Sequence, residues 1–303
     1  MKRERQKILV VLGPTASGKS ALVVLLALKF GGEIISADSR QVYKGLDIGT
    51  GKITKKEMRG VRHHLLDVED PRRQFTVVQY VEKARRAIAA IARRGKLPII
   101  CGGAGFYISA VVDNLALPKV PPNKNLRAEL RGKTSEALFA TLLKLDPRRA
   151  KTLDAKNPRR IIRAIEVAQA LGKVPDRQPS TNSQEPYEYL FIGLRVPPQE
   201  LKRKILIRLL ARMRRGMVRE ARKLHGQGLS WKRMNELGLE YRYLAKYLRN
   251  EMSKSEMIQK LGTEIWHYTK RQMTWFKRDP RIKWFSPKDF KAIEKEIAVF
   301  LRT

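Results

Sequence analysis

The chain has 303 residues, with 64 Lys plus Arg against 29 Asp plus Glu and a net charge of +35. That length allows one large domain or two smaller ones, and so large a positive excess points to a polyanionic partner, nucleic acid first. A hydrophobic content of 43% is that of a folded chain rather than a disordered basic tail, and the single cysteine, Cys101, excludes a disulfide framework or a cysteine-based zinc finger.

Lys2, Arg3, Arg5 and Lys7 followed by ILVVL imitate a signal peptide. The apolar stretch is too short, however, and runs into GPTASGKS rather than a cleavage site. It reads as a buried strand, no run reaches the roughly 18 residues of a membrane span, and a reducing cytoplasm fits the cysteine content. From 7 to about 116, short β-rich runs (ILVVL, EIISA, LPIIC) alternate with helical periods at 19–30 and 76–92. This pattern predicts βαβ units and a parallel sheet. Strands then vanish, leaving helical segments at 126–131, 135–145 and 158–171 between the Pro-rich stretches PKVPPNK and PDRQPSTNSQEP. A strand, YLFIGL at 189–194, returns the chain to the sheet.

The expected division is therefore a P-loop α/β core over 1–116, a helical insertion over 117–186, and a core strand with C-terminal helices over 187–303. In the last part Leu201, Ile205, Leu209, Met213, Met217 and Ala221 form an apolar stripe, on helices expected to break near Gly216. Residues 195–249 hold 16 Lys plus Arg against 4 Asp plus Glu, an RNA-gripping face or a solvated one. Ser286, Pro287 and Asp289 read as the cap and first turn of the final helix.

Gly13-Pro14-Thr15-Ala16-Ser17-Gly18-Lys19-Ser20 fits GxxxxGK[ST], and it lies between a buried strand and an amphipathic helix, where a phosphate-binding loop belongs. Backbone N–H groups from Gly13 and from Thr15 to Ser20 would cradle phosphates, with Lys19 reaching the terminal phosphate and the Ser20 hydroxyl ligating Mg²⁺. No NKxD base reader is present, and LPIICGG ends in glycines rather than in the aspartate of a second magnesium motif. The strand that does end in a carboxylate delivers Asp38, placed to take a proton or hold a metal beside the phosphates.

GPTASGKS followed by ISADSRQVYKGLDIGTGK resembles the tRNA dimethylallyltransferases, the tRNA isopentenyltransferases of bacterial type. HHLLDV at 63–68, GGAGFY at 102–107, NPRRIIRAIEV at 157–167 and KRQMTWF at 270–276 follow in the family's order. The resemblance implies transfer of a dimethylallyl group from its diphosphate to N6 of the adenine at tRNA position 37, next to the anticodon. The P-loop would then hold diphosphate, with Mg²⁺ as cofactor and Asp38 as the base. It also implies tRNA contacts by Asp38, Ser39, Arg40, Gln41, Ala104, Arg127, Arg159, Arg160, Arg163, Arg271 and Gln272, with Trp275 either stacking on a base or buried in a helical core. The partners are the anticodon stem-loop of tRNA and dimethylallyl diphosphate, with no membrane and a monomeric chain.

Three positions depart from the family pattern. Ala104 replaces the usual Thr, Arg40 adds a charge in DSxQVY, and MNELGLEYR lacks the usual basic residue before a Gly-Tyr pair, with Arg233 and Arg242 the basic residues nearest to it. Adjacent His63 and His64 make a poor metal pair and read as structural or as a channel wall. The competing functions are an ATP-dependent P-loop kinase acting on a small metabolite or RNA end, and a non-catalytic RNA-binding protein with a relic P-loop.

Overall fold

A computed structural model describes residues 5–176 and 187–303. The Pro-rich stretch expected to close the insertion lies, from 177 on, outside the described residues, as do Lys2 and Arg3. Six parallel strands form one sheet: β1 (Gln6–Leu12), β2 (Gly32–Ala37), β3 (His63–His64), β4 (Leu97–Gly102), β5 (Tyr187–Leu194) and β6 (Ile282–Phe285), in the order β3-β2-β4-β1-β5-β6. The ILVVL run of β1 and all of β4 are buried, as expected of parallel strands covered by helices on both faces. Two strands escape a reading of the sequence, β3 because it has only two residues and β6 because IKWF is four residues beside charged neighbours.

The register brings the functional loops together. Leu12 and Ala37 both pair with Gly102, and Leu12 also pairs with Gly193. The residues that follow β1, β2 and β4 therefore emerge side by side at the carboxyl edge of the sheet, where parallel α/β folds bind ligands. Gly102 makes this possible, since a Cβ there would stand 2.0 Å from the Ala37 carbonyl oxygen.

The described residues form fourteen helices. Early in the chain come α1 (Lys19–Phe30), α2 (Lys55–Met58), α3 (Val77–Arg93) and α4 (Gly105–Val112). Then follow α5 (Lys124–Leu130), α6 (Ser135–Leu145), α7 (Pro147–Lys151) and α8 (Pro158–Leu171). After β5 come α9 (Pro198–Arg214), α10 (Met217–Gly226), α11 (Trp231–Leu237), α12 (Leu239–Leu248), α13 (Lys254–Phe276) and α14 (Phe290–Arg302). Gly216, left-handed at φ 99, separates α9 from α10. The final helix starts later than the sequence suggests. Asp289, not Ser286, occupies the cap position, and its carboxylate accepts the Ser286 N–H at 3.0 Å, so 286–289 is a turn joining β6 to α14.

The described residues divide into two compact units, splitting after Val112 and again within 177–186. The smaller unit, α5 to α8, packs Leu130, Leu138, Leu142, Ile161 and Ile165 around its own core. Inside it lies Glu166, 2% exposed, which accepts from Arg127 Nε at 2.6 Å and Nη2 at 2.7 Å, Arg163 Nη1 at 3.1 Å and the Asn123 N–H at 2.9 Å. Burial alone would raise this carboxyl, but the bonds from Arg127, Asn123 and Arg163 outweigh it and hold the pKa below the ordinary value. Replacing Glu166 by Ala would strand two guanidinium groups, so we expect a loss of about 3 kcal/mol in urea denaturation, against less than about 0.5 kcal/mol for Arg159→Ala on the exposed surface. Equal effects would contradict this reading.

Candidate active site

Between β1 and α1 the chain turns through Gly13 at φ 150, Ala16 at φ 62 and Gly18 at φ 92. A left-handed alanine is strained. Gly18 caps α1 without any side-chain bond, which leaves the first-turn N–H groups available to an anion. Lys19 folds back over the loop, its Nζ donating to the Pro14 carbonyl at 2.7 Å. Burial brings its pKa down to about 8; Arg208 pushes the same way, while the charge of Asp38 pulls it up.

Asp38 stands at the end of β2, which β4 separates from β1. It nevertheless lines the same cavity of about 300 Å³ as Lys19 and Ser20, together with Gln41, Thr50, Cys101, Arg208 and Tyr268. One carboxylate oxygen, Oδ1, accepts the N–H groups of Arg40 at 2.8 Å and Gln41 at 3.2 Å. This turn orients the group and leaves Oδ2 without a protein donor among the described residues.

The GGAGFY and KRQMTWF segments form one joint. Gln272, 6% exposed on α13, accepts the Thr15 N–H of the P-loop at 2.9 Å and donates to the Gly103 carbonyl at 2.8 Å. A Cβ on Gly103 would lie 2.2 Å from Gln272 Nε2, and one on Gly105 would lie 2.2 Å from Trp275 Cδ1. Trp275, half-buried, also meets Phe106 edge-on with ring centroids 6.2 Å apart. The amide of Gln272, implied by resemblance as a base contact, thus binds two backbone groups, while the residue also lines the cavity.

The loop after Asp38 is held from several sides. Buried Lys52 donates to the Tyr43 carbonyl and to Asp47 and Asp67, at 2.9, 2.7 and 2.5 Å. Glu220 on α10 accepts the successive N–H groups of Asp47, Ile48 and Gly49 at 3.1, 2.6 and 2.8 Å, and the Tyr241 hydroxyl at 2.7 Å. Arg212 donates to the Gly49 carbonyl at 2.6 Å and to Glu240 at 3.0 Å, so this member of the basic segment is an internal brace rather than part of a uniform RNA-facing surface. Arg208, one turn earlier, lines the P-loop cavity instead.

Among the other expected residues, Ser39, Arg40 and Gln41 flank Asp38 in sequence. Ala104 is bound through its N–H to the Ala37 carbonyl at 3.1 Å. Arg271 is exposed, its guanidinium 6.0 Å from the Tyr268 ring centroid. In the helical unit Arg159 and Arg160 are exposed at the start of α8, whereas Arg127 and Arg163 bind Glu166. His64 donates from Nε2 to Glu33 at 2.7 Å, His63 donates to the Val61 carbonyl at 2.9 Å, and neither lines the cavity. Arg233 ties 71 and 73 to α11 through the Pro71 and Arg73 carbonyls at 2.8 and 2.5 Å. Arg242 approaches Gly238 beside Arg40. Sequence reasoning missed Arg208, Tyr268, Lys52 and Glu220. Arg208 is one of 16 basic residues in its segment, and only the fold distinguishes it.

A divalent cation is compatible with this donor set. The Ser20 hydroxyl and the Asp38 carboxylate are hard oxygen donors on one cavity, which suits magnesium sharing its shell with phosphate and water. Among the described residues no group of three or more His, Cys, Asp or Glu is assembled as zinc would favour.

The IPP transferase family pattern matches residues 41–279. The tRNA dimethylallyltransferase 1 of Syntrophus aciditrophicus is 40% identical over 98% of this chain and 99% of its own. The tRNA dimethylallyltransferase 2 of Treponema denticola is 42% identical over 91% and 93%. Among solved structures, the tRNA isopentenylpyrophosphate transferase of Bacillus halodurans is 33% identical with a TM-score of 0.74, over 99% of this chain and 97% of that one. A eukaryotic dimethylallyltransferase acting on tRNA is 25% identical with a TM-score of 0.78, over 97% and 78%.

Because Lys19 loses its charge above about pH 8, and an anion prefers the charged form, affinity for inorganic diphosphate should hold below pH 8 and fall as pH rises through it, by at most about tenfold per unit. Calorimetric titration of wild type against Lys19→Arg, which keeps its charge, separates this from the ligand's own ionisation. Parallel pH profiles for the two proteins would contradict the assignment.

Proposed function

This chain belongs to the IPP transferase family and carries the prenyl-transfer activity of the tRNA dimethylallyltransferases; from that premise we propose how its residues divide the work. The observation that carries the reading is that Lys19, Ser20 and Asp38, delivered by different strand ends, face one cavity. The dimethylallyl diphosphate binds with its diphosphate on the P-loop N–H groups, Lys19 and Arg208. The acceptor is the exocyclic N6 of adenine 37 in the anticodon loop of tRNA. A stacked adenine would be shielded from C1 of the donor, so the base leaves the loop stack and enters from the side opposite the diphosphate.

In the transfer, the C1–O bond breaks and its electron pair goes to the diphosphate, where Lys19, Arg208 and the α1 amides stabilise the growing negative charge. The N6–C1 bond forms as Asp38 takes the amine proton; an aromatic amine is a weak nucleophile until that proton goes. Ser20 would hold Mg²⁺, which when bound supplies further neutralisation of the diphosphate. Ser39, Arg40, Gln41, Ala104 and Arg271 are assigned to the RNA near the site, and Arg159 and Arg160 to its backbone. Arg127, Arg163 and Gln272 act as positioning residues. A cytoplasmic location suits a tRNA substrate. The kinase alternative has no support among the relatives described above.

Asp38→Asn keeps the shape but cannot accept the proton, so single-turnover transfer should slow by about 100- to 10,000-fold with both substrates saturating. A rate indifferent to added Mg²⁺ is the expected result, and recovery with Mg²⁺ would make Asp38 a metal ligand instead. For Arg159→Ala with Arg160→Ala, the dependence of log tRNA affinity on log salt should flatten by about 0.7–0.9 for each phosphate no longer neutralised. An unchanged slope would return both residues to ordinary solvated surface.

A further inference from the structure

A second cavity, of about 360 Å³, adjoins the phosphate cavity and shares Ser20, Gly51, Glu57 and Arg208 with it. Its lining combines apolar Val24, Leu25, Ile53 and Ala211 with the cations Lys52, Arg59, Arg208, Arg212 and Arg215, of which Lys52 is bound to Asp47 and Asp67. Arg212 is committed to Gly49 and Glu240. Arg59, Arg208 and Arg215 make no ion pair among the described residues. The carboxylate facing them is Glu57, whose Oε2 already accepts the Thr54 N–H at 2.8 Å and the Thr54 hydroxyl at 2.7 Å. Arg208 keeps an exposed side chain, yet its enclosure by neighbouring groups and repulsion from Arg212 hold its pKa below the usual value, so the cavity is a crowded positive environment that an anion would relieve. Arg59 also sits in the left-handed region at φ 50, a strained place for a side chain.

We propose that this second cavity is an anion station for inorganic diphosphate, taking the leaving group as it departs the P-loop. The proposal rests on the transferase reading above. With adenine attacking from the side opposite the diphosphate, bound tRNA closes that side, and the product leaves on its own. Arg208, which lines both cavities, hands the anion from Lys19 towards Arg59 and Arg215. Gly51 leaves room for this, as a Cβ there would lie 3.2 Å from Arg208 Nη2.

The test uses the full chain and inorganic diphosphate with Mg²⁺ in calorimetric titration. Wild type should bind two equivalents, tight and weak, and Arg59→Gly with Arg215→Ala should keep the tight one while the weak one falls by about tenfold per guanidinium removed. Glycine at 59 relieves the backbone strain, so the loss is not one of folding. In rapid-quench transfer the variant should keep its single-turnover rate and show a burst followed by slower steady turnover. A single equivalent in wild type, or an unchanged weak site in the variant, overturns the proposal. So does a fall in tRNA affinity with a flatter salt dependence, which would give these arginines to the RNA backbone. The diphosphate titrations read the same way even if prenyl transfer were absent, so failure of the transferase reading is seen separately.

Discussion

The site depends on one side chain amide. Gln272 joins the P-loop, through the Thr15 N–H, to the end of β4, through the Gly103 carbonyl, from a helix that begins more than 230 residues after the P-loop. The bond to Gly103 is buried and that to Thr15 partly so, and an unmet backbone group in such a place is costly. Gly103 and Gly105 are demanded by the same contact, because Gln272 and Trp275 occupy the space a Cβ would need. Two segments that look like independent signatures in the sequence are therefore the two halves of one joint. With β4 fixed, Gly102 brings Ala37, and hence Asp38, alongside the P-loop although β1 and β2 are not neighbours.

Acidic residues are scarce, and many are used to hold the positive chain in place. Glu220 gathers three successive amides of the loop that forms one wall of the cavity, Glu166 centres the helical unit, and Glu33 ties Arg94 to His64. Asp38 differs in having one oxygen secured and the other without a donor among the described residues. The cations divide likewise. Lys52 and Arg212 are braces, whereas Lys19 and Arg208 share one cavity with Asp38 and Glu57 and make no ion pair among the described residues, an arrangement stabilised when a polyanion arrives.

The strand–P-loop–helix unit, the βαβ alternation and the helices near 126–131, 135–145 and 158–171 were legible because each rests on local periodicity or on a motif with a fixed backbone shape. Asp38 was legible as a carboxylate ending a strand. Other features were not, since they are set by contacts distant in the chain. Nothing local distinguishes Arg208, which lines the P-loop cavity, from Arg212 one turn on, which binds Gly49. The bonds of Gln272 to Thr15 and Gly103, and those of Arg127 and Arg163 to Glu166, likewise appear only once the chain is folded. Ser286 satisfied the local rule for a helix cap, but pairing of 282–285 with β5 fixes where the turn falls and moves the helix start to Phe290.

The central claim is that one cavity holds the diphosphate and accepts the proton as a prenyl group passes to adenine. It is tested most directly by incubating the protein with unmodified tRNA, Mg²⁺ and either dimethylallyl diphosphate or ATP, then digesting the RNA and weighing its nucleosides. The account predicts N6-dimethylallyladenosine from position 37, formed in step with one equivalent of inorganic diphosphate and without ATP. A phosphorylated product made only with ATP, or unchanged adenosine with the prenyl donor saturating, would contradict it.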